Sequence, residues 1–147
     1  MEIKEMIRLA FEAREKAYTP YSGFKVGAAL LAKNGEVYQG CNIENAGYTP
    51  TNCAERTAFF KAVSEGIMEF ERIVVVGGAE GTEMGEFDLC PPCGVCRQVM
   101  REFCDPDSFE IILAKSEEEY KSYLLREILP LGFGPDKLLS SYSVMSK

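Results

Sequence analysis

The amino-acid sequence predicts an α/β fold with a mixed sheet, and three patterns lead to this prediction. Apolar residues recur at helical spacing over residues 3–17. An Asn-Gly pair separates the apolar run 26–32 from a second short run, which is typical of an antiparallel hairpin. A β-branched run at 73–76, a helical segment at 93–103 and an apolar run at 109–114 then follow in order. Strand, helix and strand in this order predict a crossover between parallel strands.

One more helix and a long loop are predicted between these patterns. Asn52 can cap a helix that runs to about Glu65, and Gly66 lies just beyond its end. A loop of about fourteen residues at 77–90 follows the β-branched run. Loops of this length in a compact domain are often functional.

The last part of the chain leaves an alternative open. Residues 117–129 have a helix-forming composition, yet a fifth strand at 120–125 fits them as well. From Pro130 onward the sequence predicts an irregular tail with a short helix. No repeat, low-complexity tract or linker divides the chain, and 147 residues suffice for one core. We therefore expect a single domain over residues 1–147.

The formal net charge of the chain is −7, and no run of lysine and arginine offsets it. Nucleic-acid binding needs a basic patch for the phosphates, so we expect a small-molecule substrate and no nucleic-acid partner. Charges interrupt the N-terminal segment too often for a signal peptide, and no segment reaches the ~18 apolar residues of a membrane span. We expect a cytoplasmic protein with no membrane partner, in which the six cysteines are mostly reduced.

Histidine is absent from the chain. Its absence excludes a Ser-His-Asp triad, a Cys-His nucleophile pair and histidine metal ligands. General acid or base chemistry must then come from Glu, Asp, Lys, Tyr or Cys. A site for a transition metal must depend on thiolates.

Three of the six cysteines have the spacing of metal ligands. Cys93 and Cys96 share a face at the start of a predicted helix, and Cys53 lies at the start of another. Helix N-termini favour thiolates, and zinc prefers such soft ligands. With these three ligands alone the fourth position stays open to water, as in catalytic zinc sites. Cys90 is an alternative ligand, and a Cys-x-x-Cys pair also suits thiol redox exchange.

Two charged residues follow Cys53 on its predicted helix. Glu55 is near enough to a metal at Cys53 to move protons without being a ligand. Asn52-x-x-Glu55 also matches a capping box, so Glu55 could instead cap its helix. Arg56 is three residues after Cys53 and could offset the negative charge of three thiolates, or it could be a surface arginine.

These segments resemble the zinc-dependent deaminases, whose signature joins His-x-Glu or Cys-x-Glu to Pro-Cys-x-x-Cys. Within this superfamily the sequence is similar to the homotetrameric, three-cysteine cytidine deaminases. The similarity runs from about residue 5 to residue 138. Four segments carry it: YSGFKVGAAL (21–30), GCNIENA (40–46), CAERTA (53–58) and PCGVCRQ (92–98).

The resemblance implies a three-layer α/β/α fold with a mixed central β-sheet of about five strands and helices on both faces. It implies zinc-dependent hydrolytic deamination of cytidine and deoxycytidine to uridine and deoxyuridine, a reaction of pyrimidine salvage. One zinc ion (Zn2+) per subunit would be held by Cys53, Cys93 and Cys96. Zinc-bound hydroxide would attack carbon 4 of the base, and Glu55 would move the protons. The assembly would be a homotetramer with shared active sites.

The resemblance also implies roles in binding a nucleoside. Phe24 would lie against the pyrimidine, and Asn42 and Glu44 would hydrogen-bond the ribose hydroxyls. The backbone of Ala54, together with Glu55, would contact the edge of the base. Without the resemblance, Phe24 could be a core aromatic, and Asn42 and Glu44 could be turn residues after the hairpin.

Neighbouring subunits would complete each pocket by lending Tyr48 and Phe133. Arg56 would hydrogen-bond the ligand thiolates. Without the resemblance, Phe133 could be another core aromatic.

Two other functions remain open at the level of sequence. The substrate could be a related cytosine nucleoside, such as a nucleoside antibiotic. The protein could also be non-catalytic, with Cys90 as a fourth zinc ligand or with Cys93 and Cys96 as a redox pair. Cys41, Cys90 and Cys104 are expected not to be ligands.

Overall fold

A computed structural model of the protein describes residues 1–139. The elements within this range are, in chain order, α1 (Ile3–Arg14), β1 (Phe24–Ala32), β2 (Val37–Cys41), α2 (Ala54–Ser64), β3 (Phe70–Ala79), α3 (Gly94–Phe103), β4 (Glu110–Ala114), β5 (Tyr120–Leu124), α4 (Leu125–Ile128) and a short 3-10 helix (Pro135–Lys137).

The strands form a mixed five-stranded sheet in the order β2-β1-β3-β4-β5. β1 pairs antiparallel with β2 and β3, β4 runs parallel to β3, and β5 is antiparallel to β4. In the turn between β1 and β2, Gly35 has a φ of 92°, and Asn34 Oδ1 accepts a hydrogen bond from the Glu36 N–H at 2.9 Å. The predicted hairpin, parallel crossover and five-stranded sheet are confirmed.

Helices cover both faces of the sheet, because successive side chains of a strand point to opposite faces. On one face, Val74 of β3 packs in a cluster with Ile7 of α1. The next residue, Val75, points to the other face, where Phe59 of α2 and Met100 of α3 complete the core. The predicted α/β fold with helices on both faces is therefore confirmed.

The first helix is shorter than predicted. α1 ends at Arg14 rather than at residue 17. Beyond it Tyr18 forms a bridge with Ile43, and its N–H donates to the carbonyl of Asn42 at 3.0 Å. This long-range pairing takes the chain out of the helical path, which a local apolar pattern does not reveal.

The start of α2 also differs from the prediction. The N-cap residue is Cys53, and α2 has no side-chain cap hydrogen bond. Asn52 pairs through its backbone with Ile43, and its side-chain amide donates to Thr57 Oγ1 at 3.3 Å. The expected cap by Asn52 is wrong, and so is the alternative in which Glu55 serves a capping box.

The C-terminal part resolves the alternative that the sequence left open. Residues 117–129 contain the strand β5 followed by the single turn of α4, so the predicted strand at 120–125 is confirmed. The 3-10 helix is the short helix predicted in the tail, and the tail beyond residue 139 lies outside the described residues. Within residues 1–139, none of the helices has the length and apolar character that a membrane crossing requires.

A glycine in β2 allows α2 to approach the sheet. A Cβ at Gly40 would lie 2.6 Å from the backbone nitrogen of Ala58 and would overlap the carbonyl oxygen of Ala54. Only a residue without a side chain permits such an approach of two backbones. The N-terminal turn of α2, which begins directly after Cys53, is thereby held against the sheet.

Candidate metal centre

Three thiols meet where two helices begin. Cys53 is the N-cap of α2, Cys93 is the N-cap of α3, and Cys96 lies in the first turn of α3. Cys93 Sγ lies 3.7 Å from Cys53 Sγ and 3.5 Å from Cys96 Sγ, and the three sulfur atoms lie within 4.8 Å of one another. Sulfur ligands of a tetrahedral zinc ion, each 2.3 Å from the metal, lie about 3.8 Å apart. The cluster therefore has the dimensions of a zinc site.

The surroundings of the cluster favour a thiolate at Cys53 and a thiol at Cys96, whose pKa is raised because its thiol donates to Cys53 and because it is buried. The pKa of Cys53 is lowered by a hydrogen bond from the Cys96 thiol and by the guanidinium of Arg56, whose Nη2 lies 3.2 Å from Cys53 Sγ. Arg56 Nε is buried and has no hydrogen-bond partner within residues 1–139. Arg56 is thus not a surface arginine but a positive charge held against the cluster. A soft, negatively charged donor set of this kind fits a zinc ion.

Glu55 lies in the first turn of α2 and is only 4% exposed. Burial raises the pKa of Glu55 to about 7, and the negative charge of the nearby Cys53 thiolate adds to this effect. A carboxyl group with a pKa near neutrality can both accept and release a proton at physiological pH.

Two hollows adjoin one another next to the thiols. The inner cleft has a volume of about 200 Å³, and Cys53 and Cys93 of the cluster line it together with Glu55. The outer hollow has a volume of about 420 Å³ and shares Thr51 with the inner cleft. The inner cleft is lined by Val26, Asn42, Thr51, Asn52, Cys53, Ala54, Glu55, Cys90, Pro91 and Cys93. The outer hollow is lined by Tyr21, Ser22, Glu44, Tyr48 and Thr51. Together the two hollows offer room for a small molecule with one part in each of them.

Asn42 lies between the inner cleft and the first residues of β1. Its Oδ1 accepts a hydrogen bond from the Val26 N–H at 2.9 Å, and its Nδ2 donates to the Phe24 carbonyl at 2.8 Å. These contacts use one of its two amide hydrogens and one of its oxygen lone pairs. Asn42 therefore holds the start of β1 and keeps further hydrogen-bonding capacity.

Glu44 holds the loop that precedes β1. Its Oε1 accepts hydrogen bonds from the backbone N–H groups of Tyr21 and Ser22 at 3.0 and 3.1 Å, and its Oε2 accepts one from the Ser22 hydroxyl. The hydrogen bond from the Ser22 hydroxyl is the main cause that lowers the pKa of Glu44. Ser22 is not among the predicted site residues, and its signal in the sequence is its place in the segment 21–30 that resembles the family.

Three aromatic residues predicted to bind substrate are exposed in the single chain. Phe24 is 43%, Tyr48 72% and Phe133 56% exposed, so the alternative of core aromatics for Phe24 and Phe133 is wrong. Tyr48 has a φ of 60° and lies edge-on to Tyr21, with 6.1 Å between the ring centroids. Neither Phe24 nor Phe133 is among the described residues that line the two hollows. Gln98 Nε2 donates to the Phe133 carbonyl at 2.8 Å.

Cys90 borders the inner cleft but does not belong to the thiol cluster of the described residues. Its sulfur packs against the backbone of Gly77, where a Cβ would lie only 2.7 Å from Sγ. Burial raises the pKa of Cys90 to about 12, which keeps this thiol protonated. The cluster therefore has three members, and its remaining side can receive a water molecule or a substrate.

The fold and this site together define a class of protein. Three thiolates at two helix starts, with a cleft on one side and a buried carboxylate beside them, are the parts of a catalytic zinc centre on an α/β/α fold. The family model described as "Cytidine and deoxycytidylate deaminase zinc-binding region" matches residues 1–109. The chain belongs to this family of cytidine and deoxycytidylate deaminases.

Relatives and solved structures agree with this assignment. The cytidine deaminase of Sporosarcina psychrophila is 46% identical over 94% of this chain and 96% of its own length. That of Halalkalibacterium halodurans is 47% identical over 90% and 95%, respectively. The crystal structure of cytidine deaminase from Burkholderia pseudomallei is 44% identical and superposes with a TM-score of 0.80 over 90% of this chain and 100% of that one. The enzyme structure from Mycobacterium tuberculosis gives 32% identity and a TM-score of 0.75 over 91% and 98%.

Two cysteine substitutions three residues apart test the three-thiol centre. Because the Cys90 sulfur lies outside the cluster, the Cys90→Ala variant should keep about one zinc ion per chain. The Cys93→Ala variant should lose its zinc, since two thiolates do not complete the site. Elemental analysis of both purified variants measures this. Loss of zinc from Cys90→Ala would instead indicate a closed, four-cysteine structural site.

Proposed function

We propose that this protein hydrolyses cytidine and deoxycytidine to uridine and deoxyuridine with release of ammonia, as in pyrimidine salvage, and that it uses one zinc ion per subunit. The observation that carries this proposal is the buried carboxylate of Glu55 beside a three-thiol cluster, at a cleft that Glu55, Cys53 and Cys93 line. Relatives that are 46% and 47% identical over at least 90% of this chain are named cytidine deaminase.

The reaction adds water to carbon 4 of the base and releases the amino group. A zinc ion held by Cys53, Cys93 and Cys96 supplies the Lewis acidity that makes water a nucleophile at neutral pH. Glu55 accepts a proton as the water adds and passes it to ring nitrogen 3. Glu55 then moves the remaining proton of the added hydroxyl group to the amino group, which leaves as ammonia. Carbon 4 becomes a carbonyl, and Glu55 returns to its starting state.

The chain offers suitable partners for each part of a nucleoside. The ring of Phe24 can lie against the flat base. Ala54 is the first residue of α2, where backbone N–H groups have no partner within the helix, so it can contact the base edge. Asn42 and Glu44 retain hydrogen-bonding capacity for the ribose hydroxyls.

We propose a free nucleoside rather than a polynucleotide as the substrate. A net charge of −7 opposes the binding of a phosphate backbone. We also propose a cytoplasmic location. All six cysteines are free thiols, which supports a reducing compartment.

We further propose a homotetramer in which neighbouring chains complete each active site with Tyr48 and Phe133. These side chains are 72% and 56% exposed in the single chain. The inner cleft of about 200 Å³ is also smaller than the roughly 300–1,000 Å³ of most small-molecule sites, so it does not enclose a nucleoside by itself. Aromatic side chains from a neighbour would supply the missing wall.

Replacing Glu55 with glutamine tests the proton-transfer role. Glutamine keeps the size of the side chain but cannot carry protons, so turnover of cytidine should fall by about 1,000-fold or more. Zinc content should stay near one per chain. Loss of ultraviolet absorbance of cytidine measures turnover, and elemental analysis measures zinc. The control is Glu65→Gln at the exposed C-terminal end of the same helix, which should leave turnover unchanged.

A substrate panel in the same assay separates the remaining alternatives. We expect turnover of cytidine and deoxycytidine and none of a cytosine-containing oligonucleotide. Turnover confined to a cytosine nucleoside antibiotic would contradict the proposed substrate. A Glu55→Gln variant that keeps its activity would contradict the proposed mechanism.

Shared active sites predict that two impaired variants restore one another. Phe133→Ala should lower turnover about 10-fold or more by removing the lent aromatic, while Glu55→Gln removes the proton carrier. In a mixed assembly some pockets combine Glu55 of one chain with Phe133 of its neighbour. The pair, co-expressed with different tags and purified through both, should exceed the turnover of either variant alone.

The control for this restoration is Glu55→Gln co-expressed with the double variant Glu55→Gln, Phe133→Ala, which has no chain with a proton carrier. Turnover of the mixed assembly that equals the average of its two parents would contradict shared sites. A monomer in light scattering would contradict the tetramer itself.

A further inference from the structure

Arg14, the last residue of α1, is only 5% exposed and connects two strands from the sheet face opposite the metal centre. Its Nε donates to the Lys25 carbonyl of β1 at 3.1 Å. Its Nη2 donates to the carbonyls of Gly78 and Ala79 of β3 at 3.0 and 2.9 Å. The carboxylate recorded next to it within residues 1–139 is Glu15, at 3.6 Å and 75% exposed. The rigid fork of the guanidinium thus clamps β1 to the end of β3. These contacts form the Arg14 clamp.

The Arg14 clamp lies directly beside the wall of the inner cleft. In the sheet register Lys25 is opposite Gly78, and the next pair is Val26 and Gly77. A Cβ at Gly77 would lie 3.1 Å from Val26 Cγ2 and 2.7 Å from Cys90 Sγ. Val26 and Cys90 both line the inner cleft, so they meet over Gly77. The distance between Val26 and Cys90 depends on the alignment of β1 with β3. The Arg14 clamp fixes this alignment at the neighbouring residue pair, Lys25 and Gly78.

The clamp also holds the loop that leads to the metal ligands of α3. The guanidinium of Arg14 lies over the ring of Phe87, 4.8 Å from its centroid. Phe87 is 5% exposed and lies edge-on to Phe11 of α1 at 5.0 Å. Its ring fills the space beside Gly78, where a Cβ would be only 2.8 Å away. Cys90, three residues after Phe87, lines the inner cleft. The loop is therefore held at both Phe87 and Cys90 where it passes around the end of β3.

We propose that Arg14 is a positioning residue that sets the width of the nucleoside cleft from the opposite face of the sheet. It holds the wall at Val26 through Lys25 and the wall at Cys90 through Phe87, and it does not touch the substrate. The inference rests on the proposed function, because nucleoside binding is its readout. Lysine should not replace Arg14, since its compact ammonium group lacks the planar fork that spans carbonyls on two strands while it lies over a ring.

Arg14→Lys keeps the charge, and Arg14→Met keeps a long apolar side chain without it. Each variant should raise the KM for cytidine about 10-fold while kcat changes less than about 3-fold, because the reacting groups stay and only the alignment of the walls is lost. Zinc content should stay at one per chain. Phe87→Leu keeps an apolar side chain but removes the stacked ring, and it should raise the KM about 3-fold.

The matched control is Arg8→Met on the same helix. Arg8 is exposed and pairs with Glu117 at 3.1 Å, so its loss should leave KM and kcat unchanged. Steady-state kinetics, zinc analysis and thermal unfolding are measured on all variants and on the unmodified protein.

KM values of both Arg14 variants within about 2-fold of the unmodified protein would overturn the proposal, even if the melting temperature falls. Normal KM in Arg14→Lys alone would also overturn it, because charge without the fork would then suffice. Loss of zinc in Arg14→Lys would assign Arg14 to the metal centre instead. Should Arg14→Met fail to fold, Arg14→Lys and Phe87→Leu decide by the same KM criterion. Absence of turnover in the unmodified protein would contradict the proposed function rather than the clamp.

Discussion

Three cysteine ligands repel one another once all of them are thiolates, and yet the protein keeps their sulfur atoms within 4.8 Å. Two sources of positive potential offset this repulsion: the N-terminal ends of α2 and α3, and the guanidinium of Arg56 at 3.2 Å from Cys53. The constraint determines much of the architecture. One helix that follows β2 and another that follows β3 must begin at the same place on one face of the sheet, and Gly40 allows the first of them to approach closely enough.

The same arrangement prepares the carboxylate beside the cluster. The first turn of α2 places Glu55 in a buried position. Burial, together with the negative charge of the nearby Cys53 thiolate, raises the pKa of Glu55 to about 7. Cys53 and the proposed proton carrier, Glu55, therefore derive their properties from the same helix start, that of α2. The other wall of the cleft depends on the opposite face of the sheet, where Arg14 aligns the strand ends and anchors the loop through Phe87.

Local patterns predicted the elements well, and long-range contacts account for what they missed. Asn34 and Gly35 mark the hairpin because Gly35 adopts the positive φ that the turn needs and the Asn34 side chain accepts a hydrogen bond from the Glu36 N–H. The absence of histidine led directly to the prediction of thiolate ligands. The start of α2 was misplaced because Asn52 pairs with Ile43, a contact that no local motif encodes. The exclusion of Cys90 from the cluster likewise follows from packing against β3. The stiff Pro91-Pro92 pair and the family resemblance both favoured this exclusion, but the packing itself is a long-range contact.

The most direct measurement is zinc content and cytidine turnover on one sample, before and after removal of the metal with a chelator and after zinc is returned. We expect about one zinc ion per chain, loss of turnover in proportion to zinc removed, and recovery when zinc is added back. Turnover that persists without zinc would contradict the central claim. So would a protein that holds one zinc ion per chain and deaminates neither cytidine nor deoxycytidine.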